Sequence, residues 1–459
     1  MSDSAAAPKK GSSGLILAVV YVTALFFIWA FVTNLVDPLI KSTKLIYSLD
    51  LFSAMLCQFA FFSAYFIMSL PSAWVLSKVG YANSIIIGLL GIVAGCGVAW
   101  STSITHTFVT LLIGLFVACS GITMLQVAAN PLIATMGDPK GSAFRLNMSQ
   151  AFNSLGAFVG GWFGASFLFN APLFKLDPDQ VTLHPELVTT DMKAVGLHLV
   201  TNVYLEIGAV LAIFVLAVFL VRNVISANSP EMSSTAVSPL VALKSKWANL
   251  GSIAIFLYVG AEVAVLSGMI FFLEQKQIMH LPTQLAGLLS PFFMLCAMIG
   301  RFGGGWLMNF VKATRMLMIF AICAAILCCV IILTAHVAPA SLGSTVTVNG
   351  VVVALTTGFL PGFAAILIGF FNSIMFPTIF TLTLERSTAP ASATSGLMCM
   401  AIFGGGVVPP IFGLVADATG SKSIAFIVPL ICYLYVLWFA FVARNAPVHA
   451  IEEGVSGGH

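Results

Sequence analysis

Long apolar stretches follow one another along the whole chain, each broken by a few polar, glycine or proline positions. A helix needs about 20 apolar residues to cross a bilayer. Against that length the runs fall near 15–40, 51–77, 82–100, 107–136, 146–170, 199–221, 249–273, 283–310, 314–335, 351–384, 394–416 and 423–443. The pattern predicts an all-α membrane protein with twelve transmembrane helices. The first run is too long for a signal-peptide core and no small-residue cleavage site closes it, so it reads as a retained span. Two polar intervals are longer than the rest. The interval 171–198 carries acids, and 223–247 is rich in Ser and Pro near mid-chain, as a linker is. The expected organisation is an N-terminal six-helix bundle over 1–222, a cytoplasmic linker over 223–247, and a C-terminal six-helix bundle with a short tail over 248–459.

The two halves echo each other. FNSLGAFVGGWFG at 152–164 is similar to MAIFGGGVVPPIFG at 400–413, and the glycines Gly156 and Gly404 stand about half a chain apart. The fourth run ends in LQVAANPLIATM and the tenth in SIMFPTIFTL, which places Pro131 and Pro377 at the same separation. The second run ends PSAWVLSKVG and the eighth GGGWLMNFVK. A repeat at half the chain length is the signature of a carrier made of two pseudo-symmetric bundles with a solute site between them.

Composition narrows the class further. Of 459 residues 59% are apolar and only 8% charged, where a soluble domain carries about 25% charged residues. So few charges cannot cover a surface in water, and the lipid bilayer is the expected surrounding. The net charge of +3 comes without a basic run, which gives nucleic acid nothing to bind. With the N-terminus placed in the cytoplasm, twelve of the 19 Lys and Arg fall in inner regions and six in outer ones. That bias predicts both termini cytoplasmic in a multi-pass plasma membrane protein, the inner membrane of a bacterium. The nine cysteines are scattered through apolar runs and read as packing residues. There is no GxxxxGK[ST], no HExxH, no Cys/His cluster and no nucleophile–base pair, so the chain is not expected to be an enzyme or to need a cofactor. A gradient is then the expected driving force.

Polar groups inside spans are costly and mark a path. Asp37 on the first span and Glu262 on the seventh read either as cation or solute ligands or as members of a structural ion pair. Glu206 reads as interfacial. Arg301 reads as a structural latch needing a counter-charge or a helix C-terminus. Trp29, Thr33 and Asp37 step by four along one helix face, with Asn34 beside them. Gln126 and Asn130 share a face of the fourth span, and Pro131 frees a carbonyl of the turn before it. Asn147, Gln150 and Asn153 make a stripe of amides on the fifth. A single buried amide is usually glue between helices, but this grouping fits a polar path. Amides donate and accept toward adjacent hydroxyls, which suits a sugar. Trp29 and Phe376 read either as core or as platforms for a sugar ring.

At these residues a family resemblance enters. FFIWAFVTNLVD (26–37), LQVAANP (125–131), RLNMSQAFNSLGA (145–157), YVGAEV (258–263), GRFGGGWL (300–307) and FNSIMFPTIF (371–380) resemble the fucose–galactose–glucose:cation symporters of the major facilitator superfamily, and most closely its glucose/galactose branch. The resemblance implies the major facilitator fold, symport of a monosaccharide (glucose, galactose, fucose or N-acetylglucosamine) with co-transported H+ or Na+, and alternating access. It implies cation coupling at Asp37, and sugar contact at Gln150 and Asn153. Asn372 and Phe376 fall within the FNSIMFPTIF motif. Where the fucose members carry a second coupling acid on the fourth span, this chain has Gln126. Glu262 taking the second charge, Asp37 acting alone, and sodium as the cation all stay open. The expected site is thus Asp37 and Glu262 for the cation, with Trp29, Asn34, Gln126, Asn130, Gln150, Asn153, Asn372 and Phe376 for the sugar, in a monomer. The rival readings are an uncoupled facilitator, a carrier of another small polar solute, and a membrane-embedded enzyme.

Overall fold

Most polar breaks in the sequence become helix ends. The structure, a computed structural model, describes residues 12–34, 43, 46–49, 51–136, 141–168, 184–229, 238–281, 285–286, 289–334, 339–348 and 351–448. Asp37 and the middle of the mid-chain linker, 230–237, lie outside them. The helices are α1 (Ser12–Thr33), α2 (Leu51–Thr105), α3 (Phe108–Thr135), α4 (Ser142–Leu168), α5 (Thr190–Ala227), α6 (Lys246–Leu273), α7 (Phe292–Leu307), α8 (Ala313–Leu333), α9 (Phe359–Asn372), α10 (Met375–Arg386), α11 (Ala391–Met400), α12 (Gly404–Thr419) and α13 (Ile427–Ala443). α2 holds two crossings, because Gly80 at φ 76° takes a backbone conformation that other residues avoid. α9 with α10, and α11 with α12, each form one crossing interrupted in its middle. The described helices therefore make twelve crossings. An even number brings the start of α1 and the end of α13 to one end of the bundle, called here the terminus-bearing end.

The sequence reading is corrected at two boundaries. The run 351–384 is not helical throughout: β2 (Val351–Thr356) pairs antiparallel with β1 (Ser341–Val348), with Val348 opposite Val351. Three consecutive valines after Asn-Gly are a hairpin signal, and a short apolar run has no period to tell strand from helix. The sixth span is longer than 199–221. It begins at Thr190, where the Thr189 side chain accepts from the Met192 N–H at 3.3 Å, and it runs to Ala227.

Outward faces of the helices carry Ile213, Leu220, Leu333 and Phe363 largely exposed. Such a surface is viable only in lipid. Inward, glycines let backbones touch. A Cβ on Gly156 of α4 would meet the Phe27 carbonyl oxygen of α1, and one on Gly404 of α12 would meet the Phe256 carbonyl oxygen of α6. The two repeat-related glycines thus seat the first helix of each half against its partner in the same way. Gly160 likewise abuts the Phe31 carbonyl, whereas Gly161 faces open space. In a helix interior Ala is preferred over Gly by about 1 kcal/mol. Gly161→Ala should leave the melting temperature in detergent unchanged or higher, and Gly160→Ala should lower it. Equal melting points for the two variants would contradict this seam.

The halves meet along two seams. α4 packs on α7, with Phe152 and Phe302 ring centroids 6.2 Å apart and Asn147 Nδ2 3.3 Å from Met308 Sδ. α2 packs on α11 and α12, with Gly396 against Ala73, Gly405 against Phe62, and Phe66 and Phe403 centroids 5.2 Å apart. Followed along their helices, these described contacts run from the terminus-bearing end to the middle of the bundle.

Candidate functional site

Two prolines shape the polar interior. A proline within a helix removes the N–H that would bind the carbonyl four residues earlier. Pro131 so frees the Val127 carbonyl of α3, and Ser395 Oγ of α11 donates to it at 2.9 Å across the seam between halves. Pro377 frees the Ser373 carbonyl at the break between α9 and α10, and Arg301 Nε of α7 donates to it at 2.9 Å. The Tyr258 hydroxyl of α6 donates to the neighbouring Asn372 carbonyl at 3.1 Å. Interrupted helices thus present carbonyls inside the bundle, where only protein side chains or a bound solute can satisfy them.

Arg301 gathers the rest. It is 5% exposed. Its Nη1 donates to the Gln150 carbonyl at 3.0 Å and to the Ser154 hydroxyl, both on α4 of the other half. Glu262 and Tyr258 stand one helical turn apart on α6, near enough to the Arg301 guanidinium to feel its charge. Of the two partners that a buried cation at this place called for, a counter-charge or a helix C-terminus, Arg301 has the helix C-terminal carbonyl in direct contact. Tyr433 of α13 lies beside Asn372 and faces Glu262 as well. Phe376 sits on Tyr258, ring centroids 6.5 Å apart. Glu262 lies on the inner part of α6 and is partly accessible. Gln150, Glu262, Asn372 and Phe376 are thus brought into one cluster that joins the halves.

The other expected residues are placed around it. Trp29 is buried on α1 against Phe26, centroids 4.2 Å apart, and the Phe26 carbonyl accepts from Asn153 Nδ2 of α4 at 3.2 Å. The Asn153 amide therefore ties α4 to α1 through its nitrogen and keeps its oxygen. The Gln150 side-chain amide has no partner among the described residues. Gln126 Nε2 donates to the Tyr65 hydroxyl at 2.6 Å. Asn130 is fully buried beside the Cys399 thiol of α11. Asn34 turns back onto its own helix, donating to the Ala30 carbonyl at 2.9 Å. Glu206 is exposed on the outer face of α5, away from the cluster. Among the described residues no group of three His, Cys, Asp or Glu side chains could hold a metal ion.

Sequence reasoning missed Tyr258, Ser154, Ser395 and Tyr65, and favoured a structural reading of Arg301. Two of the four carry a signal: Tyr258 stands four before Glu262 and Ser154 four after Gln150, each on the same helix face as its neighbour. Ser395 and Tyr65 carry none, because their partners are on distant helices.

Comparison with known proteins adds a lineage to this geometry. The profile of the Major Facilitator Superfamily matches residues 16–389. The chain is 34% identical to a glucose/galactose transporter of Brucella abortus biovar 1 (strain 9-941), over 94% of each chain. It is 29% identical to the L-fucose-proton symporter of Escherichia coli (strain K12), covering 94% of this chain and 93% of that one. Among solved structures it is similar to FucP, a transporter of the same superfamily in the outward conformation. That match has a TM-score of 0.75 and 28% identity, over 94% of this chain and 99% of that one.

Proposed function

We propose that this chain, which belongs to the Major Facilitator Superfamily, is a sugar:cation symporter that imports a monosaccharide by alternating access. It is a multi-pass membrane protein and a transporter, not an enzyme. The observation that carries the reading is Glu262: a partly accessible carboxylate within a membrane-spanning helix, one turn from Tyr258, whose hydroxyl meets the broken tenth crossing. An acid held there at a cost of about 3 kcal/mol on insertion scales is retained for a task, and the task that fits is to bind a cation. Gln150, with its free amide, and Asn153, with its free oxygen, offer donors and acceptors to sugar hydroxyls. Trp29 and Phe376 offer apolar faces to the ring. Asp37, which lies outside the described residues, is proposed as a second cation group. The chain needs no cofactor, only the co-transported cation.

The described seams close the terminus-bearing end. With both termini in the cytoplasm, the side favoured by the Lys and Arg distribution, the closed end faces inward in a bacterial inner membrane. The relatives whose names print glucose, galactose and fucose support a hexose or deoxyhexose. Proteoliposomes containing the purified protein, with pH and sodium gradients imposed separately and labelled glucose, galactose, fucose and N-acetylglucosamine offered in turn, test the whole reading. Accumulation of at least one sugar under one gradient is expected. Equilibration without accumulation under both gradients would make the protein a facilitator.

A further inference from the structure

We propose that the Asn130 amide of α3 is a sugar-contacting group of a second, inner station, sealed behind α11 in this conformation and met by the sugar only after the halves part at the terminus-bearing end. The inference rests on the sugar-transport reading and adds to it a stop on the way out. Three observations carry it. First, Asn130 is fully buried, and neither its Nδ2 nor its Oδ1 makes a hydrogen bond among the described residues. The Cys399 thiol beside it is a weak partner. Buried polar groups nearly always find hydrogen bonds, so an amide left bare in one conformation points to a partner taken up in another. Second, what covers it belongs to the other half. Val127 and Asn130 stand three apart on one face of α3, and Ser395 and Cys399 four apart on one face of α11. The bond from Ser395 Oγ to the Val127 carbonyl at 2.9 Å joins those two faces across the seam. Third, Asn130 lies inward of the other amides. α3 finishes at the terminus-bearing end, and Asn130 is one turn beyond Gln126, about 6 Å nearer that end. It stands about 8 Å from the end of α3, where Gln150 stands about 12 Å into α4 from the same side.

Parting the halves withdraws the Ser395 hydroxyl and the Cys399 thiol together. It leaves the Val127 carbonyl, which Pro131 frees, beside both ends of the Asn130 amide. That is a donor group with two acceptors, and adjacent sugar hydroxyls, which each donate and accept, match it. A sugar released inward from Gln150 and Asn153 meets this set before it leaves the protein. Among the described residues Asn372 is the other fully buried amide with neither atom hydrogen-bonded. Its neighbours Tyr258 and Tyr433 belong to its own half, so parting the halves does not uncover it in this way.

Membrane vesicles containing the full-length protein test the station. Right-side-out vesicles read the outer face and inside-out vesicles the inner one, with cation gradients dissipated. Initial entry of the labelled sugar that the protein transports is inhibited with that sugar, unlabelled, and with each of its monodeoxy analogues. In the parent, at least one analogue should inhibit at the inner face between about fivefold and about a hundredfold more weakly than the complete sugar, the cost of a buried group left unpaired. Asn130→Leu should weaken the complete sugar at the inner face within the same range, and erase the penalty of one analogue there, while the penalties at the outer face are kept. A packing role alone shifts the balance between conformations, which changes the sugar and its analogues by one common factor and leaves every penalty as it was. Unchanged penalties at the inner face therefore overturn the inference. Loss of the same penalty at both faces overturns it too, because Asn130 would then belong to the site that is open to the outside. Asn130→Ala repeats the comparison if Asn130→Leu does not reach the membrane. A parent that moves no sugar of the panel into either kind of vesicle fails the sugar reading itself, and the inference with it.

Discussion

Vesicles carrying Glu262→Gln should exchange labelled sugar between equal pools at close to the parental rate, yet build no gradient. Moving one charge through 100 mV releases about 2.3 kcal/mol, enough for roughly 50-fold accumulation. The variant should fall to a ratio of about one, because glutamine keeps the shape and a hydrogen-bonding oxygen but carries no charge with which to load a cation. Asp37→Asn is the paired experiment. If the two acids act in series, each variant alone loses accumulation and keeps exchange. If one of them still accumulates sugar, coupling belongs to the other residue. Accumulation in both would remove the carboxylates from coupling altogether. The structure sharpens why Glu262 stands beside Asp37 in this scheme. At the position where the fucose members carry an acid, this chain has Gln126, and its Nε2 is committed to the Tyr65 hydroxyl at 2.6 Å. An amide in that bond has no proton to exchange, so a second charge has to come from another helix. Glu262, on α6 of the other half, is the acid proposed for it.

The parts of this arrangement that were legible in the sequence are those set by local periodicity and by backbone chemistry. Apolar runs gave the crossings. The repeat gave the equivalence of Gly156 and Gly404, and each proves to abut a carbonyl on the first helix of its own half. The prolines announced freed carbonyls, since the missing N–H is a property of the residue itself. What takes those carbonyls could not be read, because the takers are fixed only by tertiary packing. Ser395 reaches Val127 from 268 residues away and Arg301 reaches Ser373 from 72. For the same reason the sequence did not show that Gln126 Nε2 meets the Tyr65 hydroxyl, or which helices Arg301, read as a structural latch, would join. The run 351–384 misled for a local reason. Its first residues are a valine-rich strand, and a strand of that length carries no helical or alternating period that would have separated it from the helix that follows.

The two amides of the fifth span should part company under mutation. The Gln150 side chain makes no bond among the described residues, while its backbone carbonyl holds Arg301. Gln150→Ala therefore removes a proposed sugar ligand without removing a hydrogen bond seen among the described residues, although it truncates a buried side chain. A sugar hydroxyl left buried and unpaired costs about 1–3 kcal/mol, so the dissociation constant should rise between about fivefold and about a hundredfold. The melting temperature of the sugar-free protein should fall only by the packing that the truncated side chain gives up. Asn153→Ala should weaken sugar binding and also lower the melting temperature, because its Nδ2 ties α4 to the Phe26 carbonyl of α1. Isothermal titration of purified protein with the sugar it accumulates, alongside thermal denaturation, separates the two outcomes. Unchanged affinity in Gln150→Ala would take Gln150 out of the sugar site and leave its carbonyl with the role the structure shows, accepting from Arg301 across the halves. That result would move the sugar toward α6 and the broken tenth crossing, where Phe376 packs on Tyr258. The accumulation ratio is the last check: a pure ligand residue changes the sugar concentration at which transport is half-maximal but leaves the final ratio alone, since the cation gradient sets that ratio and not the affinity.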